Sequence, residues 1–128
     1  MSRTVLAVAA AMTIVAAPCL AADSSSACAT SPKLVGVCFT VHGRLAVWNG
    51  APAFRISLIG TKRILGVNGA DGEPASATAI PEAVRRARTT NFTEVYGDYR
   101  VCPLSPDRPG RMQFVCIDSA ANLVAREP

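Results

Sequence analysis

The chain holds one histidine and one tryptophan, and both fall in the stretch Cys38-Phe-Thr-Val-His-Gly-Arg-Leu-Ala-Val-Trp-Asn-Gly50. Imidazole serves as a general base, as the partner of a nucleophile and as a metal ligand. With Cys38 four residues before His42, a thiol–imidazole pair for redox or acyl chemistry is the first reading to weigh. The same stretch also alternates. Val35, Val37, Phe39, Val41, Leu45 and Val47 occupy odd positions, while Cys38, Thr40, His42, Arg44 and Trp48 occupy even ones. A period of two predicts a long strand with its odd residues buried. Four residues along a strand span about 13 Å, which excludes a Cys38–His42 hydrogen bond. No Asp-His or Glu-His grouping with ligand spacing stands nearby, so neither a metal nor a cofactor is expected. Thr40, His42, Arg44 and Trp48 instead predict an outward strip, with Arg55 of the following strand as a neighbour. Arginine beside an aromatic ring is a common composition of ligand and partner surfaces. These five are the candidate binding residues.

Other routes to catalysis are weaker. There is no Gly-x-Ser-x-Gly, one histidine would have to serve any triad, and Asp98 and Asp118 are isolated in sequence. No enzymatic role is therefore expected. Arg85, Arg86 and Arg88 predict a basic, solvated helix face, with Lys62 and Arg63 elsewhere. Stacking aromatics are few, because Phe39, Phe54 and Tyr99 fall on expected core faces, so a nucleic-acid partner is not expected. Asn91-Phe92-Thr93 fits a glycosylation acceptor by pattern alone.

The ends place these residues in a compartment. Arg3, an apolar run from Val5 to about Ala17, Pro18 and the pair Ala21-Ala22 follow the plan of a secretory signal peptide over residues 1–22. The run is shorter than the roughly 20 residues that span a bilayer, so no membrane span is expected in the mature chain. About 106 residues then remain, enough for one domain. Arg3 leaves with the leader, so the 13 basic and 9 acidic side chains become 12 and 9, a mild positive balance. Cys19 leaves as well. The even set Cys28, Cys38, Cys102 and Cys116 reads as two disulfides in an exported domain, periplasmic or secreted. Cys102 and Cys116 flank a proline-rich loop and would lie almost opposite each other in a hairpin. The expected bridges are therefore Cys102–Cys116 and Cys28–Cys38.

Residues 23–33 are small and polar and read as an irregular tail, followed by a single β domain over 34–128. After the first strand, Asn49-Gly50 turns the chain into a second strand in which Phe54, Ile56 and Leu58 face inward. Residues 62–67 form a third, and 68–78 a surface loop rich in Asn-Gly and Asp-Gly. Pro81–Arg88 is the one expected helix of the mature chain. Tyr99 and Val101 mark a fourth strand, and 112–117 a fifth, followed by a polar tail. Three strands, a short helix and two strands, with Gly43 allowing a bend in the long first strand, is the order of an OB-like barrel. The expected fold is mainly β, a small five-stranded antiparallel OB-like barrel with the helix between strands 3 and 4. An open antiparallel sheet or a sandwich is the alternative.

The segments FTVHGRL, NGAPAFRI, GTKRILGV, VYGDYRVCPL and MQFVCIDSA resemble small, uncharacterised exported proteins of Gram-negative bacteria, a likeness that spans most of residues 37–123. It implies a shared fold and compartment and carries no activity over. The expected role is a non-enzymatic domain that binds a small ligand, a glycan or another exported protein. Two alternatives are an enzyme or thiol redox factor using Cys38 and His42, and an inhibitor-type protein presenting loop 103–110.

Overall fold

The computed structural model describes Val5, residues 7–15 and residues 27–128. Most of the expected leader 1–22 and the start of the expected tail, 23–26, lie outside those residues. Val5 and residues 7–15 are exposed and belong to no helix or strand.

Five strands form a closed barrel: β1 (Phe39–Val47), β2 (Phe54–Leu58), β3 (Ile64–Val67), β4 (Glu94–Pro103) and β5 (Gln113–Arg126). Around the barrel the order is β1-β2-β3-β5-β4. All neighbours are antiparallel except β3 and β5, which run parallel, so the barrel is not wholly antiparallel as expected. Closing the sheet through β5 is what puts those two strands side by side. One short helix, α1 (Glu82–Ala87), lies between β3 and β4 in the chain and packs against β5. Pro81 stands immediately before it, Glu82 is in its first turn and Arg85 and Arg86 in its last, a distribution that matches the helix dipole.

The first strand is bent where the sequence allows it. β1 pairs with β4 from Phe39 to Leu45 and with β2 from Gly43 to Val47, so it serves both halves of the barrel. Gly43 lies at the changeover, opposite Gly97 of β4. A Cβ on Gly43 would run into the Ile56 side chain and lie 3.1 Å from the Ser57 carbonyl oxygen; one on Gly97 would lie 2.6 Å from Leu123. Two facing glycines thus let β1 approach β2 and β4 approach β5 closely at the bend.

The core is built from the inward residues of each strand. Leu45, Ile56, Leu65, Val67, Val95, Tyr99, Val101 and Val115 are fully buried, and Ile80 and Val84 join them from the helical side. Tyr99 donates a hydrogen bond to the Val95 carbonyl at 2.6 Å, and burial pushes its phenol well above the ordinary value of 10.0. The expected inward set of β1 is only partly correct. Phe39 and Val41 pack against the core, but Val35 and Val37 precede the strand and are 55% and 86% exposed. Their backbone instead follows the end of β4, with the Val35 amide donating to the Pro103 carbonyl. β5 is longer than expected, because residues 118–126 continue it alongside β4 instead of forming a tail.

The disulfides differ from the expected pairing. Cys28 is bonded to Cys116 and Cys38 to Cys102, with Cα separations of 5.7 and 4.0 Å. Cys102 and Cys116 are indeed register partners on β4 and β5, as a hairpin requires. They lie on a face that the N-terminal segment covers: Cys28, Leu34 and Cys38 pack there together with Leu104 and Ala70. The β1–β4 register pairs Phe39 with Val101 and so sets Cys38, just before β1, opposite Cys102, while Cys28 of the N-terminal segment reaches Cys116 from outside the sheet.

Candidate binding surface

The expected strip on β1 is real but divided. Thr40, His42 and Arg44 point outward and lie opposite Arg100, Asp98 and Tyr96 of β4. Nδ1 of His42 and Oδ1 of Asp98 are 2.9 Å apart, and the other Asp98 oxygen accepts from the Asn122 amide at 2.7 Å. Hydrogen bonds from Asn122 and His42 hold the Asp98 carboxyl below its ordinary 3.8. Asn122 adopts a left-handed backbone, φ 54°, at the irregularity where β5 loses register with β4 around Gly97. Arg44 lies 3.8 Å from Glu94, while its Nε is buried without a hydrogen-bond partner. Arg100 donates to Asp118 at 2.6 Å, and Arg126 lies over the Tyr96 ring.

An Asp–His pair oriented by a third group has the geometry of a general base. No hydroxyl or thiol is hydrogen-bonded to His42 among the described residues, and Cys38 is held in its bridge. The described residues contain no cluster of three or more His, Cys, Asp or Glu that could hold a metal ion.

Trp48 and Arg55 continue the outer face at the far end of β1, where Ala46 pairs with Arg55. Trp48 follows β1 at the turn into β2, and its ring lies 5.2 Å from the Arg55 guanidinium. Arg55 is fixed from behind, since its Nε donates to the Pro52 carbonyl at 3.0 Å. Trp48 is 37% exposed, so one face of the stacked pair meets solvent. From Pro52 the surface continues across β3. A Cβ on Gly66 would lie 2.8 Å from Pro52, 2.8 Å from the Met112 sulfur and 2.9 Å from Phe114. Residue 66 must therefore be glycine for these three side chains to close over the strand.

Beyond Met112 lies a groove of about 420 Å³ between the β2–β3 turn and the loop before β5. Lys62, Arg63, Arg108 and Arg111 rim it with a single carboxylate, Asp107. Arg63 is held by Asp107 at 3.3 Å and by the buried Gln113, whose amide donates in turn to the Ser105 carbonyl. Lys62, Arg108 and Arg111 have no acidic partner among the described residues. Nothing in the sequence connects this groove to Trp48. Its visible signal is the spacing Arg108-Pro-Gly-Arg111, two cations on either side of a tight turn. The helix arginines do not form one face: Arg86 pairs with Glu82, Arg88 lies over Phe54, and Arg85 lines a smaller cavity of about 240 Å³ beside Cys28 and Cys116.

No family model, curated protein or solved structure matches this chain.

Proposed function

We propose that the protein is an exported, non-enzymatic binding domain that recognises an extended ligand, a glycan in the first instance, on the surface running from Trp48 and Arg55 across β3. The Trp48–Arg55 stack carries this reading. It is half-exposed and fixed by the Pro52 carbonyl, so little conformational freedom is lost when a ring packs against it. Its position at the β1–β2 turn of a five-stranded barrel is one where OB folds carry ligands, a fold-level analogy that adds support.

Export is supported by the apolar N-terminal run, whose described residues add nothing to the core. Met12 and Ile14 are 94% and 91% exposed. Two disulfides are compatible with an oxidising compartment. N-terminal sequencing of the protein recovered from the periplasm or medium should begin at residue 22 or 23, and recovery of the intact chain from the cytoplasm alone rejects export.

The chain's one tryptophan is its own reporter. Titration with a panel of oligosaccharides should quench or shift Trp48 emission for at least one of them. Trp48→Ala and Arg55→Ala should each abolish most of that binding, measured by calorimetry, with the far-UV spectrum unchanged. Variants that bind as tightly as the native protein would remove the stack from the binding surface.

A further inference from the structure

We infer that the groove rimmed by Lys62, Arg63, Arg108 and Arg111 is a second subsite of the same surface and that it takes the anionic groups of an acidic oligosaccharide, carboxylate or phosphate. This rests on the glycan reading of Trp48 and names the class of glycan. Charge comes first: four cations face one carboxylate, and three of them lack an acidic partner among the described residues. Preorganisation comes second. Gln113 is buried, accepts from Arg63 and donates to the loop backbone, while Ser105 Oγ accepts from the Phe114 amide. The loop is thereby tied down at its base with Arg63 aimed across the groove, and only part of that guanidinium is used by Asp107. A fixed fork of donors beside further cations matches carboxylate or phosphate oxygens.

Continuity comes third. Pro52 touches the Arg55 side of the surface and also closes over Gly66 against Met112, which lines the groove. A chain with one residue against Trp48 and acidic residues further along follows this path. The surface disfavours other polyanions. The groove lining contains no aromatic ring, so beyond a single base on Trp48 a nucleic acid strand would find nothing further to stack on. β3, which borders the groove, is paired with β2 on one side and β5 on the other, so it offers no open edge there to the main chain of an acidic peptide.

The test uses the full oxidised chain, read by Trp48 fluorescence and by calorimetry. The probes are tetragalacturonate, a phosphorylated oligomannoside, and the neutral form of each. At low ionic strength at least one acidic oligomer should bind roughly tenfold more tightly than its neutral form, the advantage shrinking with added salt. Which oligomer shows it identifies the oxyanion. Arg108→Ala with Arg111→Ala should remove most of that advantage and leave neutral binding unchanged, and Asp107→Asn should increase it. Equal affinity for acidic and neutral forms, or an advantage that survives the double substitution, overturns the subsite. Hexaglutamate or an oligothymidylate bound as tightly as the acidic sugar overturns the ligand class. If neutral oligomers perturb Trp48 and acidic groups add nothing, the glycan reading stands and this inference falls. If acidic oligomers bind through the arginines without perturbing Trp48, the groove is a separate acidic-glycan site, and both the continuity with Trp48 and the role of the Trp48–Arg55 stack fall.

Discussion

The outer surface of β1, β4 and β5 and the surface over β2, β3 and the loop before β5 carry the same kinds of side chain to opposite ends. On the first, His42 meets Asp98, Arg100 meets Asp118, Arg44 approaches Glu94 and Arg126 covers Tyr96. Strand register sets each of those meetings, and little charge is left to attract a ligand. On the second, a turn and a loop with no register to each other leave Lys62, Arg108 and Arg111 unneutralised around a concavity. Arginine content alone therefore says little about binding. What matters is whether the backbone brings a carboxylate within reach.

The largest expected effect tests the strand on which both surfaces depend. Leu45 is fully buried, and Leu45→Asp places a carboxylate in the core without a partner. That costs several kcal/mol against a total stability of about 5–15 kcal/mol, so no folded protein is expected by circular dichroism. Arg44→Ala, one residue earlier and facing out, should fold. A folded Leu45→Asp protein would reverse the assignment of the two faces of β1.

Next in size is the bridge joining the start of β1 to the end of β4. Replacing Cys38 and Cys102 together by serine should lower stability by about 2–5 kcal/mol in urea unfolding. Oligosaccharide affinity of the remaining folded protein should be retained, because the bridge lies away from Trp48. Lost affinity at full folding would tie the two surfaces together. Tyr99→Phe deletes the hydrogen bond to Val95 at a cost of about 1 kcal/mol in the same assay. In the native protein the raised Tyr99 phenol contributes stability that is complete below pH 10.0 and is lost as pH rises through its higher folded value. Tyr99→Phe should flatten that alkaline limb, and an unchanged limb would assign it to another group.

The smallest effects concern the paired surface itself. Asp98, held by Asn122 and His42, and Glu127, held by Thr93, Thr89 and Thr90, have carboxyls below their ordinary 3.8 and 4.5. Groups depressed on folding stabilise the protein above those values and lose that contribution as pH falls through the lower folded ones. Thermal unfolding should therefore be flat from pH 7 to about pH 5 and decline below about pH 4. His42→Ala and Asn122→Ala should each reduce the decline slightly and leave oligosaccharide binding unchanged. A loss of binding in either variant would return the β1 strip to the binding surface.

How much of this was legible in the sequence follows from the same contrast. Strict alternation exposed β2, the inward residues of β4 and the outward direction of Thr40, His42 and Arg44, because period two survives wherever one face is buried. The extension of β5 was hidden. In Asp118-Ser-Ala-Ala-Asn-Leu-Val-Ala-Arg126 small and polar residues follow one another, because that stretch leans on β4 with little core beneath it. Val35 and Val37 misled in the other direction, keeping the period of a strand while running outside the barrel. The Asp98–His42 contact spans 56 positions and depends on the register between β1 and β4, which alternation alone does not specify. The groove was invisible for the same reason: its cations come from two segments that meet only when β3 runs parallel to β5.

The bridges run Cys28 to Cys116 and Cys38 to Cys102, one nested inside the other. A chain delivered across a membrane from its N-terminus presents Cys28 and Cys38 to the oxidant first, and neither is the other's native partner. Cys28 must wait for a residue 88 positions later. Oxidation in order of arrival would join Cys28 to Cys38 and then Cys102 to Cys116, the pairing of a tail loop and a simple hairpin, leaving the N-terminal segment unattached to the barrel. On the proposed export route, the native bridges form either when oxidation waits for Cys102 and Cys116 to arrive or when a thiol–disulfide isomerase reshuffles the first bonds.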